Sequence, residues 1–240
     1  MSTSGDVSSA AVDDPPVAAD RSTSSLRALS VDEIVEVGLR IGLRDGFETL
    51  GMRNLSRELG VSTMALYHHV RNKRGLLAVV VDSVLREVEL PTEADGDWEQ
   101  RLRLLHRRNS ETMGRYPSLD RVIWGLPPTA EGTRLMRGYV QILLDAGLSD
   151  RDAVGVFGVL YSYGLGRAAV RGFLRDHGDA DARDRAPARE RHPEWPGERY
   201  EQSWPVLSPD PDGADRDLAL DVIIGGVRAL VARGESGTVR

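Results

Sequence analysis

Residues 55–77 read LSRELGVSTMALYHHVRNKRGLL, and the glycine and serine that can end and begin helices in this stretch indicate how the N-terminal region folds. An amphipathic helix is expected to stop at Gly60, a residue that readily takes the left-handed conformation of a helix C-terminus. Ser62 is then placed to cap a further helix over 63–70. Because the connection between the two helices is so short, the stretch predicts a helix-turn-helix pair.

The segments on either side predict helices that support this pair. Ser30 and Glu33 form a capping-box pattern at the start of a helix that is expected to end at Gly46. After the pair, Asn72 can cap a long fourth helix whose apolar residues recur at helical spacing. The N-terminal region is therefore expected to be a three-helix domain that continues directly into a long helix.

The third of these helices is predicted to present an outward surface suited to DNA. Leu66 and Val70 are expected to face the core, which leaves Thr63, Met64, Tyr67 and His68 on the opposite side. Hydroxyl and imidazole groups can bond base edges or phosphates, and methyl-bearing side chains can touch thymine methyl groups.

The distribution of charge supports a nucleic-acid partner, although the whole chain carries a net charge of −6. Between residues 51 and 75 there are five basic residues and a single acid, Glu58. Only the docking face must be positive for DNA binding. Lys73, at the start of the fourth helix, is predicted to hold a phosphate, and Arg53 is predicted to reach the backbone or a base.

Two runs in this region, LSRELGVS (55–62) and ALYHHVRNKRGLL (65–77), resemble the TetR family of regulators, in particular its tetracycline-repressor branch. The resemblance covers roughly residues 30–77. It departs from the family at Gly51 and Met52, where hydroxyl residues are frequent, and at His68, where Trp or Tyr is frequent. Together with the preceding argument, it implies DNA contacts from Arg53, Ser62, Thr63, Met64, Ala65, Tyr67, His68, His69 and Lys73.

The rest of the chain reads as helical, so the expected fold is all-α. We expect a disordered tail at 1–28, a helix-turn-helix DNA-binding domain at 29–76, and a ligand-binding and dimerisation domain at 77–240. The last contains a proline-rich irregular loop at about 176–213. Apolar-periodic stretches are found at 31–46, 52–59, 62–70, 73–90, 98–115, 119–125, 131–146, 150–175 and 214–233.

The C-terminal helices predict a homodimer that encloses a ligand site. The helix from Ser149 is rich in glycine, and the final helix is apolar nearly all round, so both are expected to pair with their copies across a two-fold axis. The family resemblance implies the same arrangement. Candidate ligand-binding residues, chosen for aromatic or amphipathic character, are His106, Asn109, Met113, Trp124, Tyr139, Phe157 and Tyr161. The tetracycline-binding polar residues are not recognisable around 121–129, so magnesium–tetracycline is not expected as the ligand.

These features predict a cytoplasmic, ligand-responsive repressor that binds a pseudo-palindromic operator as a homodimer and is released by a small-molecule inducer. The alternatives are an activator on the same scaffold, or an all-α binding protein or enzyme with a vestigial helix-turn-helix. No catalytic motif, metal site or cofactor motif is present, so an enzyme is not expected. The chain has no cysteine, which excludes thiol chemistry, and no uninterrupted apolar run long enough to span a membrane.

Overall fold

The computed structural model describes residues 29–123, 125–184 and 214–237, and all regular structure in these ranges is helical. The expected all-α fold is therefore confirmed. The predicted tail at 1–28 and residues 185–213 of the predicted loop lie outside the described residues. The helices are α1 (Val31–Asp45), α2 (Met52–Leu59), α3 (Thr63–Tyr67), α4 (Lys73–Arg86), α5 (Trp98–Gly114), α6 (Leu119–Ile123), α7 (Ala130–Asp145), α8 (Asp150–Asp184) and α9 (Ala214–Gly237).

Helix α1 begins and ends where the sequence predicts. The Ser30 hydroxyl accepts the Glu33 amide at 3.1 Å, and the Glu33 carboxylate accepts the Ser30 amide at 2.9 Å. These two bonds satisfy backbone donors that the first helical turn would otherwise leave unpaired. At the other end Gly46 has φ 89°, and its amide returns to the Gly42 carbonyl at 3.0 Å.

The turn after α1 packs back onto that helix through buried apolar side chains. Ile34 and Ile41 of α1 are fully buried with Phe47, which lies in the short 3-10 turn Phe47–Thr49 that follows the helix. The Phe47 ring occupies the space that a side chain at Gly42 would need. Any larger residue at Gly42 would displace this ring, so the glycine fixes how closely the turn packs on α1.

Helix α4 belongs to both halves of the molecule. Near its start, Val80 packs against α1 so closely that a Cβ at Gly38 would lie 2.9 Å from its methyl group. Near its end, Leu85 approaches Gly132 of α7. Both α4 residues are buried in one continuous apolar cluster. Helix α4 is therefore a packed connector between the DNA-binding region and the C-terminal body.

Polar contacts fasten the end of α4 to α7. The Arg134 guanidinium donates to the carbonyls of Leu85 and Val88 at 3.0 and 2.9 Å, which satisfies acceptors left open at the α4 C-terminus. In return, Asp82 of α4 accepts the Glu131 amide at the start of α7 at 2.9 Å. Each helix thus caps an end of the other.

Two predicted boundaries are wrong. Helix α3 ends at Tyr67 rather than Val70, because the amides of His69 and Val70 both return to the Leu66 carbonyl and the chain must be extended at Asn72 to cap α4. The irregular loop was expected to begin at Asp176, but α8 continues to Asp184. Residues 176–184 contain no proline, so nothing in them prevents helix continuation.

Candidate DNA-binding surface and ligand site

The turn between α2 and α3 has the geometry that the sequence predicts. Gly60 is left-handed at φ 67°, and the Val61 amide donates to the Ser56 carbonyl at 3.1 Å. The Ser62 hydroxyl then accepts the Ala65 amide at 3.2 Å and caps α3. The hydroxyls of Ser56 and Thr63 lie 3.2 Å apart, which joins α2 to α3 across the turn. Helix α3 is only five residues long, so its orientation depends on these contacts.

The side of α3 that is predicted to contact DNA, called here the reading face, is exposed to solvent. Met64 is 69% exposed and Tyr67 is 48% exposed, whereas Leu66 between them is fully buried. His68 and His69, in the turn after α3, are also exposed. Thr63 and Ala65 are half-buried. Exposed large apolar side chains beside histidines are unusual on a surface that faces only water.

A concave surface of about 700 Å³ lies between this face and the start of α2. The sequence did not single out two of the polar residues on it, Thr49 and Asn54. Asn54 accepts the Gly51 amide at 2.8 Å and donates to the Thr49 carbonyl at 2.8 Å, so it orders the approach to α2. Its position in the first turn of α2 could have indicated that the Asn54 side chain bonds the backbone at the start of that helix. The surface is lined by Thr49, Gly51, Met52, Arg53, Asn54, Thr63 and Tyr67.

Glu58, the single acid between residues 51 and 75, is paired with an arginine of α1. Arg44 donates to the Glu58 carboxylate at 2.9 Å and to its neighbour Asp45 at 2.8 Å. The hydrogen bond from Arg44 lowers the pKa of Glu58, and likewise that of Asp45. Both acids therefore stay charged and paired with arginine at neutral pH. The exposed Arg53 and Arg57 keep the rest of the helix-turn-helix surface positive.

Lys73 makes a contact that the sequence does not predict. It is exposed at the start of α4, but its Nζ donates to the Glu48 carbonyl at 2.6 Å. The Glu48 carboxylate in turn accepts Arg121 of α6 at 3.2 Å. Beside it, Ser118 accepts the Phe47 amide at 3.4 Å. The turn after α1 thus connects the helix-turn-helix to the C-terminal body.

In the C-terminal body, three predicted ligand residues form one aromatic cluster. The Phe157 ring lies between Tyr139 and Tyr161, with ring centroids 5.9 Å from each. Tyr139 is only 5% exposed, and its hydroxyl has no hydrogen-bond partner of normal geometry among the described residues. Burial raises the pKa of Tyr139 well above its usual range, and the neighbouring Asn109 side chain offsets part of that rise. A buried hydroxyl without a partner is an available donor for a bound molecule.

The remaining ligand candidates are less closely grouped. Asn109 faces the Tyr139 hydroxyl from α5, and His106 is half-buried one turn earlier on the same helix. Met113 packs against the general apolar core. Trp124 lies outside the described residues. The structure therefore brings together four of the seven predicted ligand residues, namely Tyr139, Phe157, Tyr161 and Asn109.

A helix-turn-helix with an exposed reading face, joined by a packed helix to a larger helical body, defines a DNA-binding transcription regulator of the all-α class. Two family models match the chain: "Bacterial regulatory proteins, tetR family" over residues 34–80, and "Tetracyclin repressor-like, C-terminal domain" over residues 90–231. The chain belongs to the TetR family, as its sequence motif indicates. Members of this family are transcription regulators, not enzymes.

Individual relatives agree with this assignment. The chain is 32% identical to the HTH-type transcriptional repressor DrrR1 of Streptomyces coeruleorubidus over 87% of this chain and 81% of the relative. It is 28% identical to the class A tetracycline repressor protein of Escherichia coli, over 87% of this chain and 96% of that relative. Among solved structures, the TetR family protein ActR of Streptomyces coelicolor in complex with (S)-DNPA superposes with a TM-score of 0.69 and 27% identity, over 84% of this chain and 98% of ActR.

Proposed function

We propose that this chain is a cytoplasmic, ligand-responsive repressor that binds a pseudo-palindromic operator as a homodimer and leaves it when a small molecule binds. The observation that carries the proposal is the exposed face of α3, where Met64 and Tyr67 project beside a positively charged surface. A helix of this kind inserts into the major groove, where its side chains read base edges.

The predicted DNA contacts divide by the chemistry of their side chains. Arg53 and Lys73 supply charge for phosphates, which positions the protein without reading sequence. Thr63 and Tyr67 offer hydroxyls, and Met64 an apolar tip, for base edges and thymine methyls. Ala65 permits close approach of the helix backbone, and His68 and His69 extend the surface beyond α3. Ser62 acts through its cap on α3, since its hydroxyl already accepts the Ala65 amide.

Exposed apolar residues on α8 and α9 support the homodimer. Leu218 is 65% exposed and Val222 is 68% exposed on α9, and Val154 and Val159 are exposed on α8. The segment Asp150–Val170 is even long and apolar enough to cross a membrane by length and composition, with only 17% of the window buried. In a chain of this family, such a surface is better explained by a second copy, which would bury it and supply the second reading helix.

The aromatic cluster supports the ligand response. A molecule that accepts a hydrogen bond from Tyr139 and packs on Phe157 would bind between α5, α7 and α8. It releases DNA only if it favours the state whose reading helices are wrongly spaced. We propose that α4 transmits the change from the ligand site to the DNA-binding region, because its start carries Lys73 and its end is held by Arg134 of α7.

The test is selection of DNA from a random duplex library by the purified full chain. We expect enrichment of an inverted repeat whose half-sites lie about 34–36 Å apart, or a multiple of this distance, along one face of the duplex. Placed over a promoter, the selected repeat should lower reporter output when the chain is expressed. Absence of enrichment would indicate a vestigial helix-turn-helix, and higher reporter output would indicate an activator. Either result would contradict the proposal.

A further inference from the structure

A second concave site lies on a different side of α7 from the aromatic cluster. It is a groove of about 440 Å³ between α5, α7 and the segment that joins α4 to α5. Its α7 residues include Arg134, Arg137 and Gln141. Successive members of this set are three and four positions apart, so they share one face of the helix. Tyr139 is buried on another side of the helix. A ligand in this groove would thus not compete for the aromatic cluster.

The groove contains three guanidinium groups, one of which is uncompensated. Arg101 of α5 donates to Asp145 at 2.9 Å, and Arg134 is paired with Glu131 and two backbone carbonyls. Arg137 is exposed and forms no ion pair or hydrogen bond with any residue that the structure describes. The groove therefore carries an excess of positive charge at Arg137.

Two further donors are available close to this charge. The side chain of Arg101 is 13% exposed, and its Nε–H is buried without an acceptor in the described part of the chain. Gln141 uses one amide N–H for Asp145 at 2.9 Å, which leaves its second N–H available. Leaving a buried guanidinium N–H without a partner is costly, so a bound group that accepted from it would be favoured.

We propose that this groove binds a small organic carboxylate, with Arg137 as its main charge partner and Arg101 and Gln141 as further donors. A planar guanidinium matches the two oxygens of a carboxylate. The groove is much larger than a bare anion, and Leu90 and Ile142 provide an apolar wall for a ring or short chain attached to the carboxylate. The ligand class is therefore a monocyclic aromatic or short aliphatic acid.

The experiment titrates the full chain into 4-fluorobenzoate and follows fluorine NMR line broadening. We expect saturable binding that weakens about tenfold in Arg137→Gln, since a charged hydrogen-bond partner is lost. Arg107→Gln is the matched control, because it removes another exposed arginine, on α5 and outside the groove. It should leave the affinity unchanged. The neutral 4-fluorobenzamide should bind at least tenfold more weakly than 4-fluorobenzoate.

The proposal would be overturned by equal affinities in the Arg137→Gln and Arg107→Gln chains, by equal binding of the neutral amide, or by displacement of 4-fluorobenzoate by an equal concentration of inorganic phosphate. The last would mean that the groove binds any anion rather than a carboxylate. Tyr139→Phe should leave 4-fluorobenzoate binding unchanged, and a loss of binding there would place the probe in the aromatic cluster instead. None of these measurements involves DNA, so the groove and the proposed repressor function can fail separately.

Discussion

The ammonium of Lys73 donates to the carbonyl of Glu48 at 2.6 Å, so the residue predicted to hold a phosphate also ties the start of α4 to the turn after α1. An ammonium has three donors, and the contact with Glu48 uses one of them. The remaining two can point to DNA. We therefore expect Lys73 to orient the helix-turn-helix through Glu48 and, as proposed, to bind a phosphate with its other donors.

Substitution of Lys73 separates these two roles. Lys73→Ala should weaken operator binding and lower the slope of log K against log salt by about 1, because one phosphate contact is lost. Lys73→Gln, which keeps an N–H donor for Glu48, should lower the slope equally with a smaller loss of thermal stability. Fluorescence anisotropy over a salt series measures the slope. An unchanged slope in both variants would mean that Lys73 contacts Glu48 but no DNA phosphate.

Tyr139 provides a test of the aromatic cluster. Tyr139→Phe removes a buried hydroxyl that forms no hydrogen bond of normal geometry with any described residue, the neighbouring Asn109 included, so the ligand-free protein should become more stable by about 1 kcal/mol. The same change should weaken any effector that accepts a hydrogen bond at this point. Urea unfolding of the ligand-free chain checks the first expectation. A loss of stability would mean that the hydroxyl is satisfied in solution, by Asn109, by water or by a second copy of the chain.

The homodimer can be tested at Val222, which is exposed on α9. Val222→Glu should convert a dimer into a folded monomer, because association would remove the water around two new carboxylates. Leu43→Glu, on the exposed side of α1, introduces the same charge away from α8 and α9 and should leave the dimer intact. Sedimentation velocity at micromolar concentration distinguishes the two. A dimer in both variants would exclude this face of α9 from the interface.

The Arg44 cluster predicts a dependence of stability on pH. Hydrogen bonds from Arg44 hold the folded-state pKa values of Asp45 and Glu58 below their ordinary values of 3.8 and 4.5. Their contribution to stability is therefore complete above these ordinary values and is lost as the pH falls below them. Arg44→Gln should lower the urea midpoint at neutral pH, and this difference should shrink on acidification. Arg107→Gln serves as the control, and a difference independent of pH would contradict the account.

The DNA-binding half could be predicted from sequence because its signals are local. Ser30, Gly60, Ser62 and Asn72 each act on the backbone within a few residues, and the structure places all four at the predicted helix ends. The end of α3 was missed for a related reason. Periodicity continues to Val70, which is buried as expected, but a turn rather than a helix brings it there.

The sites in the C-terminal body were harder to predict because they depend on contacts between distant segments. Tyr139, Phe157 and Tyr161 were candidates for their aromatic or amphipathic character, but no local pattern shows that the Phe157 ring would lie between the other two. The groove at Arg137 combines side chains from α5 and α7 with the chain after α4, and no local pattern marks arginines that will converge. The contact between Lys73 and Glu48 spans 25 residues and involves a backbone carbonyl, which carries no side-chain signal.

The most direct test of the account compares operator affinities of the wild-type chain and Tyr67→Ala, measured by anisotropy on the selected inverted repeat. Because Tyr67 is exposed on α3, the variant should keep its thermal stability, yet bind about tenfold to a hundredfold more weakly, in line with about 1–3 kcal/mol for a base contact. Unchanged affinity in a stably folded Tyr67→Ala chain would contradict the claim that this face of α3 reads DNA.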